Sequence, residues 1–208
     1  IISYDRLMLK VARSRGLVAK SCFGKKQIRD KIRAGTGRHG SRARGELEWR
    51  SLQATVYGPR IGEAQLISGV WGFFKTCGKR GIPIYIISHK TKFAAEAETH
   101  TNLRVAALRW MDQNGFFSPQ GLGLLKRHVF FESTRKQKLK RISKLRCTHF
   151  IDDLEETFLE VDFPKGVEKI LYNPHAPARN HPLARGARRV RRLRSWSEIR
   201  KCVFHGGN

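Results

Sequence analysis

Apolar residues recur along the first sixty positions at helical intervals. Leu7, Leu9, Val11, Ala12 and Leu17 mark a loosely helical stretch over residues 4–19, weakened at its end by Gly16. The segment KKQIRDKIRA at 25–34 reads as a second, short and basic helix. From Gly35 to Gly45, Gly, Thr, Ser and Arg replace any apolar period, which predicts a flexible loop. The period returns from Glu46 to Tyr57 through Leu47, Trp49, Leu52 and Val56, and Gly58-Pro59 stops it. Residues 1–66 are expected to form a small helical region with a basic middle.

The pattern changes near Ile67. A helix opening at Ile67-Ser68-Gly69-Val70 carries Trp71, Phe73, Phe74 and Cys77, and Gly78 and Gly81 end it. The three aromatics read as core. Ile82-Pro83-Ile84-Tyr85-Ile86-Ile87 is an apolar run without alternation, the mark of a strand buried on both faces. A long helix is expected from Lys92 to Gln113, closed by Asn114-Gly115. Further strands are expected at 128–131, 147–151 and 169–172, with a basic helix at 135–145 and a helical turn at 154–159. Strand and helix in alternation predict an α/β fold with a parallel sheet and right-handed crossovers. Residues 67–173 form its core on this reading. Residues 174–208 are a basic tail in which only Ser195-Trp196-Ser197-Glu198-Ile199 suggests a capped helix.

A hydrophobic fraction of 40% is enough to bury a core. No apolar run reaches the roughly 18 residues that span a bilayer, so no membrane partner is expected. The start, Ile1-Ile2-Ser3-Tyr4-Asp5-Arg6, has no signal-peptide character, and its first residue is not Met, so something upstream is expected to be missing. Cys22, Cys77, Cys147 and Cys202 stand far apart with no CxxC pair, which argues against zinc and for a reduced, cytoplasmic setting. The net charge of +25 changes the picture more. Eleven Lys/Arg and one acid lie between Arg13 and Arg44, and seven Arg and no acid between Arg179 and Arg194. Such segments favour phosphate-rich partners, nucleic acid first among them, although a compositional bias toward Arg on solvated faces gives the same count.

Candidate chemistry lies at the strand ends, where parallel sheets bind ligands. Asp152 and Asp153 close a buried strand. Two adjacent carboxylates there call for compensation, which a hard cation such as Mg²⁺ supplies. The alternative is an N-cap for the turn at Leu154. Ser88 ends the first strand, where its hydroxyl and the nearby amides suit a phosphate oxygen, or simply cap a helix. Phosphate beside carboxylates needs a fixed cation, and Arg135, Lys136 and Lys138 supply candidates between the second and third strands. His89 and Lys90 come directly after Ser88. The turn Gly121-Leu122-Gly123 is too short for a phosphate loop.

In this order, Gly69-Val70, a helix, Ile84–Ser88, a basic helix, then Phe150-Ile151-Asp152-Asp153 resembles the second, third and fourth motifs of the haloacid dehalogenase-like (HAD) hydrolase superfamily. The resemblance covers residues 67–173. It implies a Rossmann-like parallel sheet flanked by helices, with residues 1–66 as a helical cap inserted before the second motif. It implies Ser88 and Lys138 (Lys136 as the alternative lysine) as catalytic residues. Ser88, His89 and Arg135 would then contact substrate, and Asp152 and Asp153 would hold Mg²⁺. The family's first motif, a strand ending in Asp-x-Asp, supplies the nucleophile that becomes an aspartyl-phosphate and the general acid/base. No Asp-x-Asp occurs in this chain. Ile1 to Asp5 resembles the segment just after that motif, so the core is expected to lack its first strand. Asp5 is not assigned the nucleophile's role.

Three functions are expected on these grounds. The first is a Mg²⁺-dependent phosphohydrolase acting on a phosphorylated small molecule, inactive without its nucleophile. The second is a basic nucleic-acid-binding protein working through its Arg-rich tail. The third is a catalytically inactive HAD-like scaffold.

Overall fold

The computed structural model describes residues 1–19, 22, 24–35, 41–94, 101–175 and 190–205. In chain order these form β1 (Ile2–Ser3), α1 (Asp5–Ser14), α2 (Lys25–Arg33), α3 (Arg42–Tyr57), β2 (Gln65–Leu66), α4 (Val70–Lys79), β3 (Ile86–His89), α5 (Leu103–Gln113), β4 (Val129–Glu132), α6 (Arg135–Lys144), β5 (His149–Asp152), α7 (Glu155–Phe158), β6 (Glu168–Tyr172), β7 (Val190–Leu193) and α8 (Trp196–His205). The protein is mixed α/β with small parallel sheets, and it divides into two compact units.

The helical unit comprises Ile1–Ile67 and Thr91–Gly121. Leu7, Met8, Val11 and Ala12 of α1, Ile28 and Ile32 of α2, and Trp49, Leu52 and Val56 of α3 bury one apolar cluster that also takes in Cys22. The spacings 28/32 and 45/49/52/56 keep these residues on one face of each helix. Helices α2 and α3 come into backbone contact at Gly45, where a Cβ would stand 2.2 Å from the Ile32 carbonyl oxygen. Only glycine permits that approach. The Trp110 indole on α5 donates to the Ala64 carbonyl at 3.0 Å, and β1 pairs antiparallel with β2.

Two expectations shift here. The loop expected over Gly35–Gly45 lies outside the described residues at 36–40. At its end α3 has already begun at Arg42, capped by the Ser41 hydroxyl, which accepts from the Arg44 amide. The helix expected from Lys92 begins at Leu103, because Asn102 caps it by accepting from the Arg104 and Val105 amides. Residues 95–100 lie outside the described ones.

The α/β unit comprises Ser68–Lys90 and Leu122–Asn208. Strand β3 runs parallel to β4, with Ser88 opposite Phe131, and β5, β6 and β7 form a second parallel sheet. One apolar cluster joins Ile87 of β3, Phe130 of β4, Phe150 of β5 and Leu171 of β6 through Leu139 and Ile142 of α6. Yet among the described residues β3 pairs only with β4 and β5 only with β6, so each keeps one unpaired edge.

The boundaries differ from the sequence expectation in three places. Residues 91–121 cluster with the helical unit rather than with the α/β core. The expected tail supplies β7, paired to β6, and α8, whose first turn is closed by the Glu198 amide donating to Ser195 Oγ at 3.1 Å. The Arg-rich stretch at 179–189 and residues 206–208 lie outside the described residues. Of the apolar run at 82–87, only Ile86 and Ile87 are in β3, for Pro83 cannot donate to a ladder and Ile82 is exposed. Trp71 is 38% exposed on α4 and lies against Lys75, whereas Phe73 and Phe74 are buried.

Candidate functional site

The site begins with how α6 is anchored. Thr134 and Gln137 form a reciprocal capping box: the Thr134 hydroxyl accepts from the Gln137 amide, and the Gln137 side chain accepts from the Thr134 amide, both at 3.1 Å. With the helix start fixed, Lys138, Leu139 and Ile142 turn inward and Lys136 and Lys140 face solvent. Lys138 is only 6% exposed. Its ammonium donates to Asp152 Oδ2 at 2.6 Å and lies 5.2 Å from the Phe150 ring centre.

This bond shows which strand ends lie together. The first turn of α6 comes after the carboxyl end of β4, and Asp152 is the last residue of β5. The Lys138–Asp152 pair therefore brings the carboxyl ends of β4 and β5 to the same edge of the unit. Since β3 runs parallel to β4, Ser88 and His89 end on that edge as well.

The Asp152 carboxylate is engaged on both oxygens. Oδ2 takes the Lys138 ammonium, and Oδ1 accepts from the Asp153 amide at 2.9 Å. Burial pushes the Asp152 carboxyl above its ordinary value, against the pull of the Lys138 ammonium. The Thr157 hydroxyl, fully buried, faces this carboxylate without reaching hydrogen-bond geometry. The capping alternative holds in part: Asp152 Oδ1 accepts from the Asp153 amide and, at 3.4 Å, from the Leu154 amide, closing the turn ahead of α7, whose own cap position, Leu154, makes no side-chain bond to the helix.

The remaining candidates occupy separate positions. Ser88 is half-buried at the end of β3. His89 is exposed, and its Nε2–H donates to the Ser133 carbonyl at 3.0 Å, tying the end of β3 to the turn before α6. Arg135 is ion-paired with Glu160. Asp153 is exposed. Lys138, and not the exposed Lys136, meets the acidic pair. Sequence reasoning missed Thr157 and Glu160. Neither stands at a strand end or in a recognisable pattern, and only the packing of α7 against β5 brings Thr157 to the pair.

Among the described residues no group of three or more His, Cys, Asp or Glu is placed to hold a metal. Mg²⁺ keeps several waters and takes one or two carboxylates, and of the two here Asp152 is already bound to Lys138. No family model, no curated protein and no solved structure matches the chain.

Proposed function

We propose that the α/β unit is the phosphate-holding part of a phosphohydrolase of the HAD-like class, acting on a phosphorylated small molecule. The observation that carries this reading is the buried Lys138–Asp152 pair, set at the carboxyl edge of parallel strands where Ser88 also ends. On this reading the Ser88 hydroxyl donates to a phosphoryl oxygen. The Lys138 ammonium offsets the negative charge that gathers there, and Asp152 holds that ammonium in place. Nucleophilic attack needs a carboxylate that this chain does not carry in an Asp-x-Asp motif. The unpaired edges of β3 and β5 are consistent with a further strand bearing such a motif. Mg²⁺ belongs to the reading only together with the carboxylates of that strand.

The test is titration with inorganic phosphate, monitored by amide NMR. Saturable shifts at Ser88, His89 and Asp153, lost in Ser88→Ala and absent with equal chloride, are expected. Shifts spread over the basic surface that track ionic strength alone would refute the site. The chain as it stands is expected not to hydrolyse p-nitrophenyl phosphate. In a chain extended by a strand that bears the nucleophile motif, Asp152→Asn is expected to abolish turnover, and turnover that survives it would overturn the assignment.

A further inference from the structure

The basic charge of the chain is not disposed alike in its two Arg-rich segments. In the described part of the C-terminal segment, Arg191 faces Glu168 at 3.7 Å and Arg192 pairs with Glu155 at 2.7 Å. These cations are spent on the fold of the α/β unit. The other segment is arranged differently.

Helices α2 and α3 form an antiparallel hairpin. The end of α2 meets the start of α3 at Gly45, and the start of α2 meets the end of α3, where the Lys25 ammonium lies 5.7 Å from the Tyr57 ring centre. With Ile28 and Ile32 turned into the core, Lys26, Arg29 and Arg33 fall at i, i+3 and i+7 on the outward face of α2. With Trp49 and Leu52 turned inward, Arg42, Glu46 and Arg50 form a second stripe at i, i+4 and i+8 on α3. Glu46 joins the two stripes, 2.7 Å from Arg33 and 3.2 Å from Arg50. Asp30 pairs with Arg29 at 3.0 Å, so five cations share this surface with two carboxylates and three of the five, Arg29, Arg33 and Arg50, are ion-paired. Lys26 and Arg42 are exposed and take part in no ion pair among the described residues.

We propose that this outward face of the α2–α3 hairpin is a docking surface for the phosphodiester backbone of a nucleic acid, bound without regard to sequence. Three features favour that partner. Four of the five cations are Arg, whose planar fork takes phosphate oxygens in pairs. Cations on successive turns of two antiparallel helices give a charged strip rather than a point, which suits a linear polyanion. Ile28, Ile32, Trp49, Leu52 and Val56 face inward, and among the described residues of the two helices Leu47 is the one large apolar side chain exposed, a slender anchor for a lipid layer. The inference stands on the helical unit alone and is independent of the phosphohydrolase reading.

The experiment measures binding of the whole chain to a short, mixed-sequence, fluorescent DNA duplex by anisotropy across a salt series. The test variant is Lys26→Glu with Arg42→Glu. The control is Lys140→Glu with Lys144→Glu, which changes net charge equally at exposed positions of α6. Unchanged circular dichroism establishes that both variants fold. The test variant is expected to lose affinity by about tenfold or more, with a salt dependence shallower by about 0.9 for each phosphate no longer neutralised. The control is expected to stay near the parent. Equal losses in both variants would reduce the effect to net charge and overturn the proposal. Binding of anionic phospholipid vesicles in preference to the duplex, abolished by the same two substitutions, would overturn it in favour of a membrane surface.

Discussion

Lys138 and Asp152 are each almost fully enclosed, and removing either leaves a buried charge without its counter-ion. A broken buried pair of this kind costs about 3–5 kcal/mol, whereas replacing both members with apolar groups is often neutral. Lys138→Met or Asp152→Leu alone is therefore expected to lower the urea midpoint sharply, and the double variant to regain most of it. Phosphate titration of the double variant separates structure from function. A refolded protein blind to phosphate is expected if the pair serves the site. Undiminished, site-specific phosphate shifts would make the pair purely structural. The same residues show what a sequence can reveal. Asp152-Asp153 and Ser88 were legible because they come after apolar runs, and strand ends are where ligands sit. Lys138 was legible only as one of several cations. What distinguishes it is the inward turn imposed by the Thr134–Gln137 cap, a fact of helix phase rather than of residue type. Arg135 looked equally suited to substrate, and its partner Glu160 is remote in sequence.

Among the elements, α2 and α3 depend on a missing side chain. A methyl at Gly45 would collide with the backbone of Ile32, which cannot rotate away as a side chain can. Gly45→Ala is expected to destabilise the helical unit by about 3 kcal/mol, near the top of the usual range for overpacking. Gly62→Ala, with no atom within 4 Å of the added carbon, should leave the thermal midpoint unchanged. Helix and strand identities were mostly readable from period, and α1, α2, α4, α6 and β4 to β6 lie close to where the pattern put them. Boundaries moved where a single cap overrode the period, as at Asn102 and Ser41. The short strands β1, β2 and β7 left no pattern to read, since each exists only through a partner distant in sequence.

For the whole molecule, a net charge of +25 makes every carboxylate that holds cations matter. Glu63 binds Arg60 through two hydrogen bonds, at 2.6 and 2.8 Å, and Lys10 at 2.8 Å. The Arg60 guanidinium first and the Lys10 ammonium second hold its carboxyl down, from 4.5 to about 2. In the unfolded chain this carboxyl takes its proton at the higher value. The stability it contributes is thus complete above about pH 4.5 and is lost as pH falls toward about 2. Acid titration monitored by helical circular dichroism should show that loss, and Glu63→Gln should flatten it. An unchanged profile in the variant would assign the acid transition to other carboxylates.

The chain passes from the helical unit to the α/β unit at 67/68, goes back at 90/91, and crosses again at 121/122. That threading sets an order of assembly during synthesis. Strand β3 leaves the ribosome before its partner β4 exists, and the next segment to appear, residues 91–121, belongs to the other unit. The nascent chain must therefore hold an unpaired apolar strand in waiting while the helical unit takes up the segment that separates β3 from β4.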